Sequence, residues 1–136
     1  MSTVPLISDA EASPEVRAVF DDIRATRKSD FVNNFWRALA VDPRLLAEVW
    51  GQVKATMAPG ALDALTKEMI YVAVSAANAC SYCAHSHTAA ARAKGMTDAQ
   101  YGELLAVVSL AGRTNHLASA LQVPVDPAFD AAARES

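Results

Sequence analysis

Residues 61–94 read ALDALTKEMIYVAVSAANACSYCAHSHTAAARAK, and their composition decides the fold class. They hold neither proline nor glycine and are dense in alanine, leucine, methionine and lysine, the residues that lose least on entering a helix. The stretch therefore reads as helix, with Gly95 as its stop. Downstream, Thr97-Asp98-Ala99-Gln100 is a capping box. It opens a helix whose Leu104, Leu105, Val108, Leu117 and Leu121 are apolar, with Gly112 as a possible break and Pro124 as its end. Upstream, Ala58-Pro59-Gly60 interrupts the pattern. Before it, Asp42-Pro43 starts a helix carrying Leu45, Val49, Trp50, Val53 and Met57, and residues 31–40, with Phe35, Trp36 and Leu39, form a short one. Ser13-Pro14-Glu15 starts the first helix, whose Val16, Val19, Phe20 and Ile23 recur at helical spacing. No segment shows sustained strand alternation. The expectation is an all-α, compact single-domain helical bundle over residues 1–136, with a poorly ordered tail from residue 125.

Residues 69–77 carry apolar side chains on nearly every side of a helix, so that helix is expected to be buried all round. Either neighbouring helices of a second subunit cover it or it is the central helix of one domain. Over the 136 residues the hydrophobic share is 52%, more than one small core easily hides, which favours the homo-oligomer. Net charge is −3 with scattered basic residues, so neither nucleic acid nor a membrane surface is an expected partner. Residues 1–10 lack the basic and apolar regions of a signal peptide, and the nine apolar residues at 69–77 fall short of the roughly 20 that cross a bilayer. A cytoplasmic location is expected. There, two cysteines three positions apart point to redox work or metal binding rather than a structural staple.

On a helix, Cys80 and Cys83 lie one turn apart on one face, where a reversible disulfide is within reach, and His87 follows one turn later. Its imidazole can take a proton from a thiol or stabilise a thiolate. Glu68 is harder to place, because a straight helix sets it about 18 Å along the axis from Cys80. A bend near residues 78–81, with Asn78 and Ser81 as caps, brings it back beside the cysteines. The bend also sets the dithiol at a helix N-terminus, where the macrodipole favours a thiolate.

Glu68, Cys80, Cys83 and His87, embedded in KEMIYVAVSAANACSYCAHSH, resemble the motif of the AhpD-like alkylhydroperoxidase branch of the carboxymuconolactone decarboxylase family. The resemblance centres on residues 59–95, with support from Asn115-His116-Leu117-Ala118. It implies an all-helical homo-oligomer, whether dimer, trimer or hexamer. It also implies reduction of hydrogen peroxide or small organic hydroperoxides through the dithiol, recharging by a protein thiol reductant, and no cofactor. Carried over by position, Cys83 is the peroxidatic cysteine, Cys80 the resolving one, and Glu68 with His87 the proton relay. Where the best-known members have a histidine before the second cysteine, this chain has Tyr82. An unperturbed phenol, with a pKa of about 10, cannot replace that base near neutrality.

Other readings stand beside this one. Cys80, Cys83, His87 and Glu68 would make a four-ligand zinc set in a non-enzymatic helical oligomer. The family name also carries lactone decarboxylation, for which a CxxC pair is not needed. His85 falls on another side of the helix and reads as surface, and Tyr71 as core or interface. Lys94 and Arg92 read as exposed, and Asn115 and His116 either line the site or pack in a helix interface. No phosphate-binding glycine loop, paired-carboxylate signature or nucleophile elbow is present.

Overall fold

The computed structural model describes residues 1–129, which contain six α-helices and no strand. The expected loose tail falls mainly on residues 130–136, outside the described residues, while Pro127–Phe129 just before them forms a 3-10 turn. The chain divides into two compact units, one ending at Gly60 and the other beginning at Ala61.

The first unit holds α1 (Pro14–Arg27), α2 (Asn34–Leu39) and α3 (Pro43–Met57), and α1 and α3 start where side chains satisfy unpaired helix N–H groups, whereas Asn33 before α2 makes no such bond. Ser13 Oγ accepts from Val16 N–H, and Asp42 Oδ1 accepts from Arg44 and Leu45 N–H. Val16, Phe20 and Ile23 recur along one face of α1 and are buried with Trp36, Leu46 and Trp50. Each fully buried large side chain contributes roughly 1.5–3 kcal/mol. The indoles of Trp36 and Trp50 meet edge to face at 5.3 Å, and the Arg27 guanidinium lies over both rings.

Trp50 Nε1 donates to Asp22 Oδ2 at 2.7 Å, and Lys54 Nζ lies 2.9 Å from the same oxygen. The indole N–H first, and the ammonium second, hold the Asp22 carboxyl below its ordinary value of 3.8. A depressed carboxylate stabilises the fold fully above its unfolded pKa, and that contribution is lost as pH falls through the folded value. Asp22→Asn is therefore expected to lower the melting temperature at neutrality and to flatten its fall between about pH 4 and pH 2, where the two proteins converge. Thermal melts followed by tryptophan fluorescence would check this, and parallel acid limbs for both proteins would refute it.

The second unit contains α4 (Ala64–Ala77), α5 (Ser81–Ala93) and α6 (Asp98–Ala120), with α4 packed against both others. Asp63 Oδ1 accepts from Thr66 N–H at 2.7 Å, so α4 starts at residue 64 rather than 61. The capping box at Thr97 and Gln100 forms as expected, and α6 then runs through Gly112 without a break. On α4, Glu68, Val72 and Ser75 make one buried stripe. The helix is not enclosed within one chain, since Ile70, Tyr71 and Val74 are 48%, 37% and 52% exposed. α6 likewise buries none of its residues and presents Val107, Leu110, Leu117 and Leu121 outward.

The helix expected over residues 61–94 is broken at 78–80. Ala79 N–H donates to the Ala76 carbonyl and Cys80 N–H to the Ser75 carbonyl. This Schellman pair needs a left-handed residue between, and Ala79 takes φ 54°. The end of α5 uses the same pair of bonds, from Gly95 to Arg92 and from Met96 to Ala91, with glycine at φ 102° in the left-handed position. Alanine there carries a steric cost of roughly 1–2 kcal/mol, whereas glycine carries a smaller entropic one. Ala79→Gly is thus expected to raise the unfolding free energy by roughly 0.5–1 kcal/mol. Urea denaturation would measure the gain, and a loss of stability would show that something other than backbone strain sets the residue at this position.

Candidate active site

The three-residue connection at 78–80 lets α5 fold back along α4, so residues distant along the chain meet. Asn78 is the C-cap of α4, as its sequence position suggests, but the N-cap of α5 is Cys80 rather than Ser81, which is the first helical residue. Cys80 takes an extended φ of −84° and ψ of 93°, and its Sγ accepts from Cys83 N–H at 3.3 Å. The two sulfurs are joined as a disulfide, with Cα atoms 5.3 Å apart. The pair therefore sits at the positive, N-terminal end of the α5 dipole.

His87 follows one turn after Cys83 on α5. Its Nδ1 lies 2.7 Å from Oε2 of Glu68, a contact that spans 19 positions of sequence and exists only because the chain reverses. Glu68 is 7% exposed. With Glu68 ionised, Nδ1–H is the donor and Nε2 is left as the nitrogen that can carry a lone pair. Oε1, the other carboxylate oxygen, lies 3.7 Å from Lys94 Nζ. The Tyr71 ring stacks on the imidazole with centroids 3.6 Å apart and planes 19° from parallel. Two serines tie the backbone around this cluster. Buried Ser75 donates through Oγ to the Tyr71 carbonyl at 2.7 Å while its own carbonyl accepts from Cys80 N–H, and Ser86 Oγ donates to the Cys83 carbonyl.

The structure pairs Glu68 of α4 with His87 of α5, and sets Cys83 one turn before His87 on α5 with Cys80 as the cap of that helix. Tyr82, 45% exposed, stands beside Cys83 in the first turn of α5. His85 is exposed, with Nδ1 2.8 Å from the Ser81 carbonyl, in keeping with a surface role. Asn115 and His116 are exposed on α6. Among the described residues, neither hydrogen-bonds to Glu68, His87 or the cysteines. Nor do any three His, Cys, Asp or Glu side chains among the described residues form a group that could hold a metal ion. The four-ligand zinc arrangement is thus not formed with the sulfurs bonded to each other.

Two neighbours of the site escaped the sequence reading. Tyr71, expected in core or interface, covers His87, and its position three residues after Glu68 was the available signal. Lys94 is exposed, as expected, but it lies beside the site rather than elsewhere, its Nζ reaching Glu68. It is the C-cap of α5, seven residues after His87 and so on the same side of that helix. Arg92 is also exposed, pairing with Asp98 at 3.0 Å.

Residues 43–126 match the model of the carboxymuconolactone decarboxylase family, and they include every residue of this cluster. The chain belongs to the carboxymuconolactone decarboxylase family. A crystal structure of the alkylhydroperoxidase AhpD core from Rhodospirillum rubrum is 67% identical to it and covers 95% of this chain and 97% of its own, with a TM-score of 0.93. Comparison with curated proteins gave no match. For a carboxymuconolactone decarboxylase family member, the fold is thus of the AhpD type, all-helical with the CxxC at a helix start. No helix among the described residues is long and apolar enough to cross a membrane.

Proposed function

We propose that this chain is a thiol-dependent peroxidase that reduces hydrogen peroxide or small organic hydroperoxides through Cys80 and Cys83. The observation that carries this reading is a closed Cys80–Cys83 disulfide on the same helix as a histidine held by a buried carboxylate. The Rhodospirillum rubrum alkylhydroperoxidase AhpD core, similar over nearly its whole length, supports it.

In the proposed cycle His87 Nε2 takes the Cys83 thiol proton while Glu68 stabilises the imidazolium through Nδ1–H. The Cys83 thiolate attacks the outer peroxide oxygen, the O–O bond breaks, and the departing alkoxide takes the proton from His87. Cys83 is now a sulfenic acid, and the Cys80 thiol condenses with it to form the disulfide and water. A protein dithiol then returns two electrons through a mixed disulfide, regenerating both thiols. Tyr82, on the exposed side of the pair, can donate a hydrogen bond but does not serve as base. Asn115 and His116 are kept as lining residues of the assembled protein only. The same reading takes residues 1–136 as one family domain working in the cytoplasm. It also takes the outward apolar faces of α4 and α6 as surface for further copies in a homo-oligomer.

The test is free-thiol titration and intact mass of reduced protein before and after one equivalent of hydrogen peroxide. Loss of both thiols and of about 2 Da is expected. Unchanged thiols would sink the reading, and stoichiometric zinc in protein purified without chelator would put the metal-binding one in its place.

A further inference from the structure

We propose that Tyr71 is a positioning residue for His87, fixing the plane of the imidazole so that Nε2, the nitrogen Glu68 leaves free, keeps one orientation. Glu68 and Tyr71 lie one turn apart on α4 and grip the same ring in different ways. Glu68 holds its edge through one hydrogen bond to Nδ1, and Tyr71 covers its face at 3.6 Å. With the ring tethered at Cγ, a single hydrogen bond at Nδ1 still leaves rocking about χ1 and χ2, which displaces Nε2 on the far side of the ring. A parallel ring on its face removes that rotation. Edge and face contacts together leave one orientation, and a misplacement of about 1 Å can slow a positioned proton transfer by orders of magnitude.

The position of Tyr71 is itself held. Its carbonyl accepts from Ser75 Oγ, and Ser75 in turn receives Cys80 N–H on its carbonyl. One buried serine thus links the backbone under the stacked tyrosine to the residue carrying the first sulfur. Tyr71 is 37% exposed in the single chain, and the ring contact it makes there is with His87. The contact is made by the ring, so phenylalanine should replace tyrosine and an aliphatic side chain should not.

The kinetic arm of the test rests on the peroxidase reading, and the spectroscopic arm does not. Tyr71→Phe, Tyr71→Leu and Tyr71→Ala are made in the full chain. The rate of hydroperoxide-dependent thiol oxidation is followed as a function of pH and of peroxide concentration, and the His87 ring nitrogens are followed by nitrogen-15 NMR of the reduced protein. The expected result is one sharp set of His87 ring signals in the unsubstituted protein and in Tyr71→Phe, and exchange-broadened signals from a mobile ring in Tyr71→Leu and Tyr71→Ala. With that mobility should come a rate about tenfold lower, an altered pH profile and little change in KM. Unsubstituted rates and sharp ring signals in Tyr71→Leu would overturn the proposal, as would equal impairment of Tyr71→Phe and Tyr71→Ala. If the unsubstituted protein does not consume peroxide, the peroxidase reading fails, while the ring-mobility comparison still decides the role of Tyr71.

Discussion

Cys83→Ser is expected to lower hydroperoxide turnover by about three orders of magnitude or more, because no other group in the proposed cycle can take the oxygen atom. Cys80→Ser is expected to behave differently. It should retain a single rapid oxidation and then stop at a sulfenic acid on Cys83 that a nucleophilic trap captures, since no second thiol remains to condense with it. The contrast between the variants assigns the roles, which equal loss of turnover in both cannot do. Sulfenic acid trapped at Cys80 in Cys83→Ser, formed as fast as in the unsubstituted protein, would reverse the assignment. Undiminished turnover of a carboxymuconolactone-type substrate by Cys83→Ser would favour decarboxylation.

Replacing Glu68 separates charge from hydrogen bonding. Glu68→Ala is expected to slow the peroxide step by about a hundredfold, the ordinary worth of a positioned acid–base group. Glu68→Gln should fall between the two proteins, because an amide oxygen can still accept from His87 Nδ1–H but cannot stabilise the imidazolium. Thermal stability should move by only about 1 kcal/mol in either direction, since removing a buried carboxylate also removes its desolvation cost. Stopped-flow oxidation of the reduced proteins would measure the rates and denaturant titration the stability. Full activity in Glu68→Ala would exclude the relay.

How far the site could be read from the sequence depends on which contacts are local. Cys80, Cys83 and His87 are spaced at three and four residues, so any helix unites them. Glu68 needed the chain reversal, which its distance from Cys80 along a straight helix already required. The place of the reversal was legible to within a residue or two, but its detail was not. The left-handed position is filled by Ala79, where a glycine would have announced it, and the cap is a cysteine rather than the stronger capper Ser81 beside it. Helix starts at Ser13, Asp42 and Thr97 were legible because each cap carries its own acceptor oxygen. Gly112 carried less meaning than it suggested, because a glycine inside a long helix weakens it without breaking it. The stack of Tyr71 on His87 and the reach of Lys94 to Glu68 are contacts across two helices, and their register follows only once the helices are packed. The apolar run at 69–77 was legible as apolar, but which sides face outward in one chain was not.

The cap formed by the Cys80 sulfur gives one atom two occupations, to carry electrons and to finish a helix. A serine in its place keeps the second occupation and drops the first, since a hydroxyl oxygen is among the best acceptors for the N–H groups at a helix start. Cys80→Ser therefore ends the electron traffic of the pair without fraying α5, and sulfenic acid accumulating in it can be ascribed to lost redox chemistry rather than to a damaged fold.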